Sequence, residues 1–456
     1  MTTYDVIVLG AGTAGTAAAS AAAAAGARVL VFNDGELGGL CILRGCMPTK
    51  TMLHAAHLVH EAQHSPTPGV STAGVSVDFA EVMRNKDAKV ARFKRAKVSA
   101  IERGNYELID ARARFVGPDA IEAGGQTYRF EKGAVIACGS VPSVPPIPGL
   151  DAVPYWTSDD VMALTEAPES IAVIGSGAIG LELAQFLSRM GTQVHQFSRR
   201  RVFTDAGPLI ADEMEAALRA EPSFVLHAPC QPERIEQDGD SVVLHLPEGE
   251  SVRVQALLVA TGRRPAVDEL GLESAGVEFV DGRLHADRTL RTTNPRITVG
   301  GDATGDRLLL HVANWEGKVA GLNAYDPSAS HEVETRLHME AVFTDPPLAT
   351  VGMSAAEAEV AGHEVITASA RYPETGRAIT QDCQHGAAVL VAEKASGEIL
   401  GAQLLGPRAD DVIHTIGAIL HYRGTARDML AMPWYHPTIT EVLLSLAREL
   451  DSKTTG

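Results

Sequence analysis

The sequence predicts an α/β chain in which one strand–turn–helix–strand unit is used twice and an α+β region follows. Three observations predict it. A Gly-x-Gly-x-x-Gly turn follows an apolar run at residues 10–15 and again at 175–180. Each turn leads into a helix-forming segment and then a second apolar run. From about Leu337 the texture changes to alternating strands and hairpin turns.

Taken in order, Tyr4–Leu9 (YDVIVL) reads as a buried parallel strand. Gly10-Ala11-Gly12-Thr13-Ala14-Gly15 follows, then the alanine tract Ala17–Ala25, broken only by Ser20. Alanine is the best helix former, and its small side chain permits close packing on a sheet. Ala27–Phe32 closes the first unit. Ser170–Arg199 repeats it: IAVIG runs into Gly175-Ser176-Gly177-Ala178-Ile179-Gly180, the helix LELAQFLSRM ends at the capping Gly191, and TQVHQF follows. Pro-rich Val141–Gly149 reads as an extended crossing between domains. Ala256–Ala260 runs into Thr261-Gly262-Arg263-Arg264-Pro265 and leads back, so the first domain resumes and takes in Ile297–Gly305 (ITVGGDATG). Farther on, Ala387–Glu393 and Ile399–Leu405 flank Ala395-Ser396-Gly397 as a hairpin. The expected domains are 1–149 with 266–336, then 150–265, then 337–456.

Composition narrows the function. Among 456 residues, 39 Lys and Arg face 57 Asp and Glu, a formal charge of −18, which leaves no electrostatic case for nucleic-acid binding. No apolar run approaches the ~18 residues of a membrane helix. The N-terminus enters a strand at once, so no signal peptide and a cytoplasmic location are expected. Five cysteines are too few for a disulfide scaffold.

The two glycine loops stand in the context that dinucleotide binding requires, after a strand and before a helix. Gly10, Gly12 and Gly15, and again Gly175, Gly177 and Gly180, would let a pyrophosphate approach backbone N–H groups at a helix N-terminus. An acidic residue about 20 positions on normally accepts from the ribose hydroxyls. In the first unit Asn33 stands there, with Asp34 beside it. The second strand runs on into Ser198-Arg199-Arg200-Arg201, with three cations and no carboxylate. That favours a 2′-phosphorylated dinucleotide, NADP over NAD.

Cys41 and Cys46 lie five apart and can bridge only if the chain turns sharply between them. Pro48 suits a first helical turn, placing Cys46 near a helix N-terminus with Arg44 close in sequence, a setting that favours a nucleophilic thiolate. A zinc half-site is the competing reading. Cys138, Cys230 and Cys383 are scattered singly. His54, His57, His60 and His64 share a helix face, but no accompanying ligand set suggests a metal, and none is assigned. In Trp434-Tyr435-His436-Pro437-Thr438-Ile439-Thr440-Glu441 an imidazole precedes a carboxylate by five residues, the makings of a general acid–base pair.

Taken together, GAGTAG, LGGLCILRGCMPTK, GSGAIGLELA, ATGRRP, TVGGDATG, HVANWEG and YHPTITEVL occur in one order across nearly the whole chain. The chain thereby resembles the class I pyridine nucleotide–disulfide oxidoreductases, which include dihydrolipoamide dehydrogenase, glutathione reductase and mercuric reductase. TMLHAAHLVHEA looks closest to the dihydrolipoamide dehydrogenase branch. The resemblance implies two Rossmann-like domains and a C-terminal dimerisation domain. It implies FAD at Gly10, Gly12, Gly15, Asn33, Gly301 and Asp302, and NADP or NAD at Gly175, Gly177 and Gly180 with Arg199 and Arg200 at the 2′ position. Cys46 would be the thiol near the flavin and Cys41 the one that attacks substrate. Lys50 and Glu182 match an ion pair beside flavin N5. His436 and Glu441 match an acid–base dyad that reaches the site from the partner subunit of a homodimer, and His311 would contribute backbone.

Departures are visible. Asn33 replaces an acid, Ala178 stands where many relatives carry a gating Tyr, Arg44 occupies an often apolar position, and Trp434-Tyr435 precede the histidine. The last of these, with the triple Arg, argues against NAD-linked dihydrolipoamide dehydrogenase proper. The last cysteine is Cys383, and with no C-terminal cysteine pair and no N-terminal metal-binding module the sequence points away from mercuric reductase. The expected activity is electron transfer from NADPH through FAD and Cys41–Cys46 to a small disulfide. The alternatives are a transhydrogenase or diaphorase that ignores the thiols, NAD-linked dihydrolipoamide dehydrogenase proper, and a non-catalytic flavin-binding protein.

Overall fold

A computed structural model describes residues 2–64 and 67–455. The chain forms two compact units: Met1–Pro48 with Asn85–Ser143 and Gly262–Glu334, and Thr49–Arg84 with Val144–Thr261 and Thr335–Gly456.

In the first unit, strands Glu107–Asp110, Val29–Asn33, Thr2–Leu9, Gln126–Ile136 and Ile297–Val299 lie side by side in that order, all parallel. This is the 3-2-1-4-5 order of a doubly wound nucleotide fold. An antiparallel hairpin, Ala113–Gly117 and Ala120–Ala123, extends the sheet along the early part of Gln126–Ile136. Leu9 pairs with both Phe32 and Ile136, and Ile136 with Val299, so the carboxyl ends of four strands align where the first glycine loop begins. Helix Thr13–Ala24 is mostly alanine, and most of its residues are buried. The reason lies in its neighbour, helix Leu310–Tyr325. A Cβ on Gly317 would stand 2.2 Å from the Ala14 carbonyl oxygen, and one on Gly321 2.3 Å from that of Ala18. Backbones this close leave no space for larger residues.

The second unit repeats the pattern with strands Phe224–His227, Gln193–Phe197, Ser170–Ile174 and Ala256–Val259, all parallel. Helix Ala178–Arg189 follows the second glycine loop. An antiparallel meander, Arg234–Asp238, Ser241–His245 and Ser251–Val254, stands beside that sheet. The same unit holds a five-stranded antiparallel sheet in the order Met339–Val342, Leu348–Gly352, Ile399–Leu405, Ala387–Glu393 and Val365–Arg371. The hairpin expected around Ser396 is its centre, and every residue of Ile399–Leu405 is buried. Helices Ala409–His421 and Val442–Lys453 cover it.

The crossing Val141–Gly149 holds more structure than its prolines suggest. Ser140–Pro142 is a strand, and it pairs antiparallel with Arg263–Pro265, so the outgoing and returning connections bond to each other. Contacts also gather Thr49–Arg84 with the second unit, together with both segments expected as separate second and third domains. Among the described residues no helix is long and apolar enough to cross a membrane.

Candidate functional site

Each glycine loop is shaped by its first residue. Gly10 has φ +107° and Gly175 φ +108°, a conformation that disfavours side chains. A Cβ on either would stand 2.3 Å from a carbonyl oxygen, that of Ala137 or that of Ala260. The third glycines are equally confined: Gly15 lies against the Gly10 carbonyl and Gly180 against that of Gly175. The middle ones differ. A Cβ on Gly12 or Gly177 would meet nothing within 4 Å. That open space beside helix N-termini with no side-chain cap fits a bound pyrophosphate.

At the end of the strand after the first loop, where a ribose contact was expected, Asn33 Oδ1 accepts from the Ala11 amide at 3.1 Å and Nδ2 donates to the Gly35 carbonyl at 2.8 Å. The side chain therefore braces its own loop. In the second unit Ser198 and Ser176 hydroxyls meet at 2.6 Å. Arg201 is committed to Asp212 at 2.7 Å and Glu215 at 3.1 Å, which hold its guanidinium pKa well above the usual range. Arg200 and Asp205 stand 3.8 Å apart, both exposed. Among the described residues exposed Arg199 has no carboxylate partner.

Asp302 lies on the turn Gly301–Thr304 and accepts from Ser140 Oγ at 2.6 Å. Arg263 Nε donates to the same oxygen at 2.8 Å, so the paired crossings brace this aspartate. Behind it Glu316 is buried and accepts from the Gly301 amide at 2.8 Å. Burial pushes its carboxyl up to about 7, with Asp306 and Asp302 adding like charge.

Cys41 sits in the short helix Leu40–Leu43, and helix Cys46–Gln63 begins at the second cysteine. Between them Gly45 folds back: a Cβ there would stand 3.1 Å from the Cys41 Cα and 3.0 Å from the Leu40 carbonyl. Both cysteines are half-buried. Among the described residues no group of three His, Cys, Asp or Glu could hold a metal ion. The same helix carries Lys50, whose ammonium donates to buried Glu182 at 2.7 Å. Glu182 also accepts from the Phe343 amide at 3.0 Å, and the Lys50 ammonium lies 4.4 Å from the Phe343 ring centroid. Farther along, His57 and His60 face the buried Arg189–Glu221 pair, and burial lowers both imidazole pKa values.

His436 Nδ1 meets Glu441 at 3.0 Å. Glu441 also accepts from the Thr438 amide at 2.8 Å. That amide first, then the imidazole, holds its carboxyl below the usual range. The His436 side chain is 78% exposed, so its ring projects outward from this chain.

Sequence reading missed Phe343 and Glu316. Phe343 belongs to no motif and meets Glu182 across 161 residues. Glu316 lies inside HVANWEG, where the one carboxylate of helix Leu310–Tyr325 was the available signal.

Residues 4–317 match the pyridine nucleotide-disulphide oxidoreductase family, and residues 339–447 match its dimerisation domain. The chain belongs to that family. A mercuric reductase of Streptomyces lividans is 34% identical over 96% of this chain and 94% of its own length. A dihydrolipoyl dehydrogenase of Geobacillus stearothermophilus is 33% identical over 97% and 95%. The HOCl-induced flavoprotein disulfide reductase RclA of Escherichia coli, solved as a Cu(II) complex, superposes with a TM-score of 0.86 at 25% identity, covering 98% of this chain and 100% of that one. The chain is an oxidoreductase and a flavoprotein disulfide reductase. Its family cofactors are FAD and NAD(P)H, and its dimerisation domain supports a homodimer. The missing C-terminal cysteine pair pointed away from mercuric reductase, yet mercuric reductases are 31–34% identical to the chain, beside 33% for the dihydrolipoyl dehydrogenase. The two do not separate on overall likeness.

Proposed function

We propose that the chain is a homodimeric, NADPH-preferring reductase of a small disulfide, working in the cytoplasm. Residues 1–149 and 266–336 would bind FAD, 150–265 NADPH, and 337–456 would form the interface. The observation that carries this reading is the Gly45 turn folded against Cys41, with Cys46 opening a helix. A helix N-terminus favours a thiolate, here that of Cys46, which would resolve the mixed disulfide on Cys41.

When bound, FAD supplies the two-electron relay from NADPH to the Cys41–Cys46 disulfide. The Cys41 thiolate attacks one sulfur of the substrate, forming a mixed disulfide and releasing one thiolate. His436 of the other subunit, kept in one tautomer by Glu441, gives that thiolate its proton. The Cys46 thiolate then attacks the Cys41 sulfur, which closes the protein disulfide and releases the second half of the substrate as a thiolate that takes its proton from solvent. Lys50 and Glu182 would keep a paired cation at the flavin side of the disulfide, and Gly301 with Asp302 would hold the ribityl chain. Exposed, unpaired Arg199, with Arg200 near it, supports a 2′-phosphate on the second loop.

Cys46→Ser tests the reading. It should abolish disulfide-dependent NADPH oxidation while leaving oxidation by an artificial acceptor; survival of the disulfide-dependent rate would leave a diaphorase or transhydrogenase instead. The mercuric reductase relatives favour one second reading, in which the same two thiols take a soft metal ion as substrate. Assaying Hg(II) beside lipoamide and glutathione disulfide, with each nucleotide, separates the two.

A further inference from the structure

The histidine stripe takes no part in the chemistry proposed above. His60 lies near the end of helix Cys46–Gln63, and the His64 amide still donates to the His60 carbonyl at 2.8 Å. The two side chains therefore share a helical face, four residues apart. Their rings stack with centroids 4.9 Å apart. His60 Nδ1 is buried without a hydrogen-bond partner and stands 3.7 Å from Oε2 of buried Glu221. A proton held at Nδ1, toward that carboxylate, leaves the ring's lone pair at Nε2. The exposed quarter of the His60 side chain lies away from Nδ1. Burial, then the Arg189 charge, lowers the His60 pKa, so the ring is neutral at neutral pH. Beneath it one buried guanidinium, Arg189, faces two carboxylates, Glu221 and Asp345, which leaves a negative charge uncompensated. A cleft of about 280 Å³ opens beside both imidazoles, lined also by Gln63, Ser188 and Ser223. A histidine with one nitrogen toward a carboxylate and the other toward open space has the setting of a metal ligand with its supporting acid. Sequence alone assigned the stripe no metal because that acid lies far along the chain.

We propose that His60 and His64 together bind a divalent transition-metal ion, with Glu221 orienting His60. Imidazole suits Zn(II), Cu(II) or Ni(II), whereas Mg(II) takes oxygen ligands. Two protein ligands fall short of a structural zinc set, so water completes the coordination and the ion exchanges. The test is calorimetric titration of Zn(II) into the FAD-loaded full chain carrying Cys41→Ser and Cys46→Ser. Those changes remove both thiols as competing ligands, whether or not they form a disulfide. One Zn(II) should bind per chain, and Mg(II) should not displace it. Adding His64→Ala, at an exposed position, should raise the dissociation constant about tenfold or more. Adding His54→Ala, exposed on the same stripe, should leave it unchanged. Absence of binding, an unchanged constant in His64→Ala, or equal weakening by His54→Ala would overturn the proposal. None of these readouts needs turnover, so a failed disulfide reading leaves the test intact.

Discussion

The glycine loops at 10–15 and 175–180 are two readings of one backbone. Their first glycines match within a degree, and their third glycines pack on the same carbonyl of their own loop. What differs is the end of the next strand. Asn33 turns inward and ties its amide to Ala11 and Gly35. Ser198 ties to Ser176, and the chain then presents Arg199 to solvent. On the proposed reading the loop would recognise what all dinucleotides share, the pyrophosphate, and so would keep one shape. The strand end would meet the ribose, where the dinucleotides differ, and would be free to change its charge.

Swapping alanine into each loop breaks this comparison most severely. Gly10→Ala should cost the bound flavin nucleotide, seen as loss of flavin absorbance in the purified protein, because its Cβ would meet the Ala137 carbonyl at 2.3 Å. Gly12→Ala meets no protein atom within 4 Å, so its apoprotein should melt within ~2 °C of wild type while FAD affinity falls at least about tenfold. Equal damage to stability from both would refute the open-loop geometry. Next in size, Arg199→Glu should lower kcat/KM for NADPH by about 100-fold and that for NADH by less than ~3-fold, since it sets a carboxylate against the 2′-phosphate. A parallel fall with both nucleotides would place Arg199 outside the ribose site.

The smallest effect concerns Glu316. With its pKa raised to about 7 from the ordinary 4.5, the unfolded state ionises first as pH rises, so stability is lost between those two values and stays lost above them. Glu316→Gln keeps an acceptor for the Gly301 amide and cannot ionise. Its melting temperature should change less than that of wild type between pH 4.5 and 7, and the variant should match or exceed wild type at pH 8. A wild-type profile flat over that range would contradict the buried-acid assignment.

Much of this was legible because it is local. Strand, glycine turn and helix are contiguous in both units, so pattern and spacing suffice, and the alanine tract announced a helix able to pack closely on a neighbour, expected to be the sheet. That the neighbour is Leu310–Tyr325 was not legible, since the matching Gly317 and Gly321 lie some 300 residues on. The same limit hid Phe343, whose backbone amide completes the Glu182 carboxylate: a main-chain donor has no sequence signature. Pro-rich Val141–Gly149 read only as an extended crossing, because the strand that its start bonds, Arg263–Pro265, is the return crossing more than a hundred residues later. The triple Arg could be counted but not ranked until Asp212 and Glu215 were seen to occupy Arg201.

The most direct test of the account is the ratio of kcat/KM for NADPH to that for NADH, measured on the wild-type enzyme with an artificial electron acceptor. It needs no knowledge of the disulfide. A ratio above about 10 is the outcome the charge difference between the two strand ends predicts. A ratio at or below 1 would contradict it, leaving Arg199 as a solvated loop residue and the two strand ends without the distinction drawn between them.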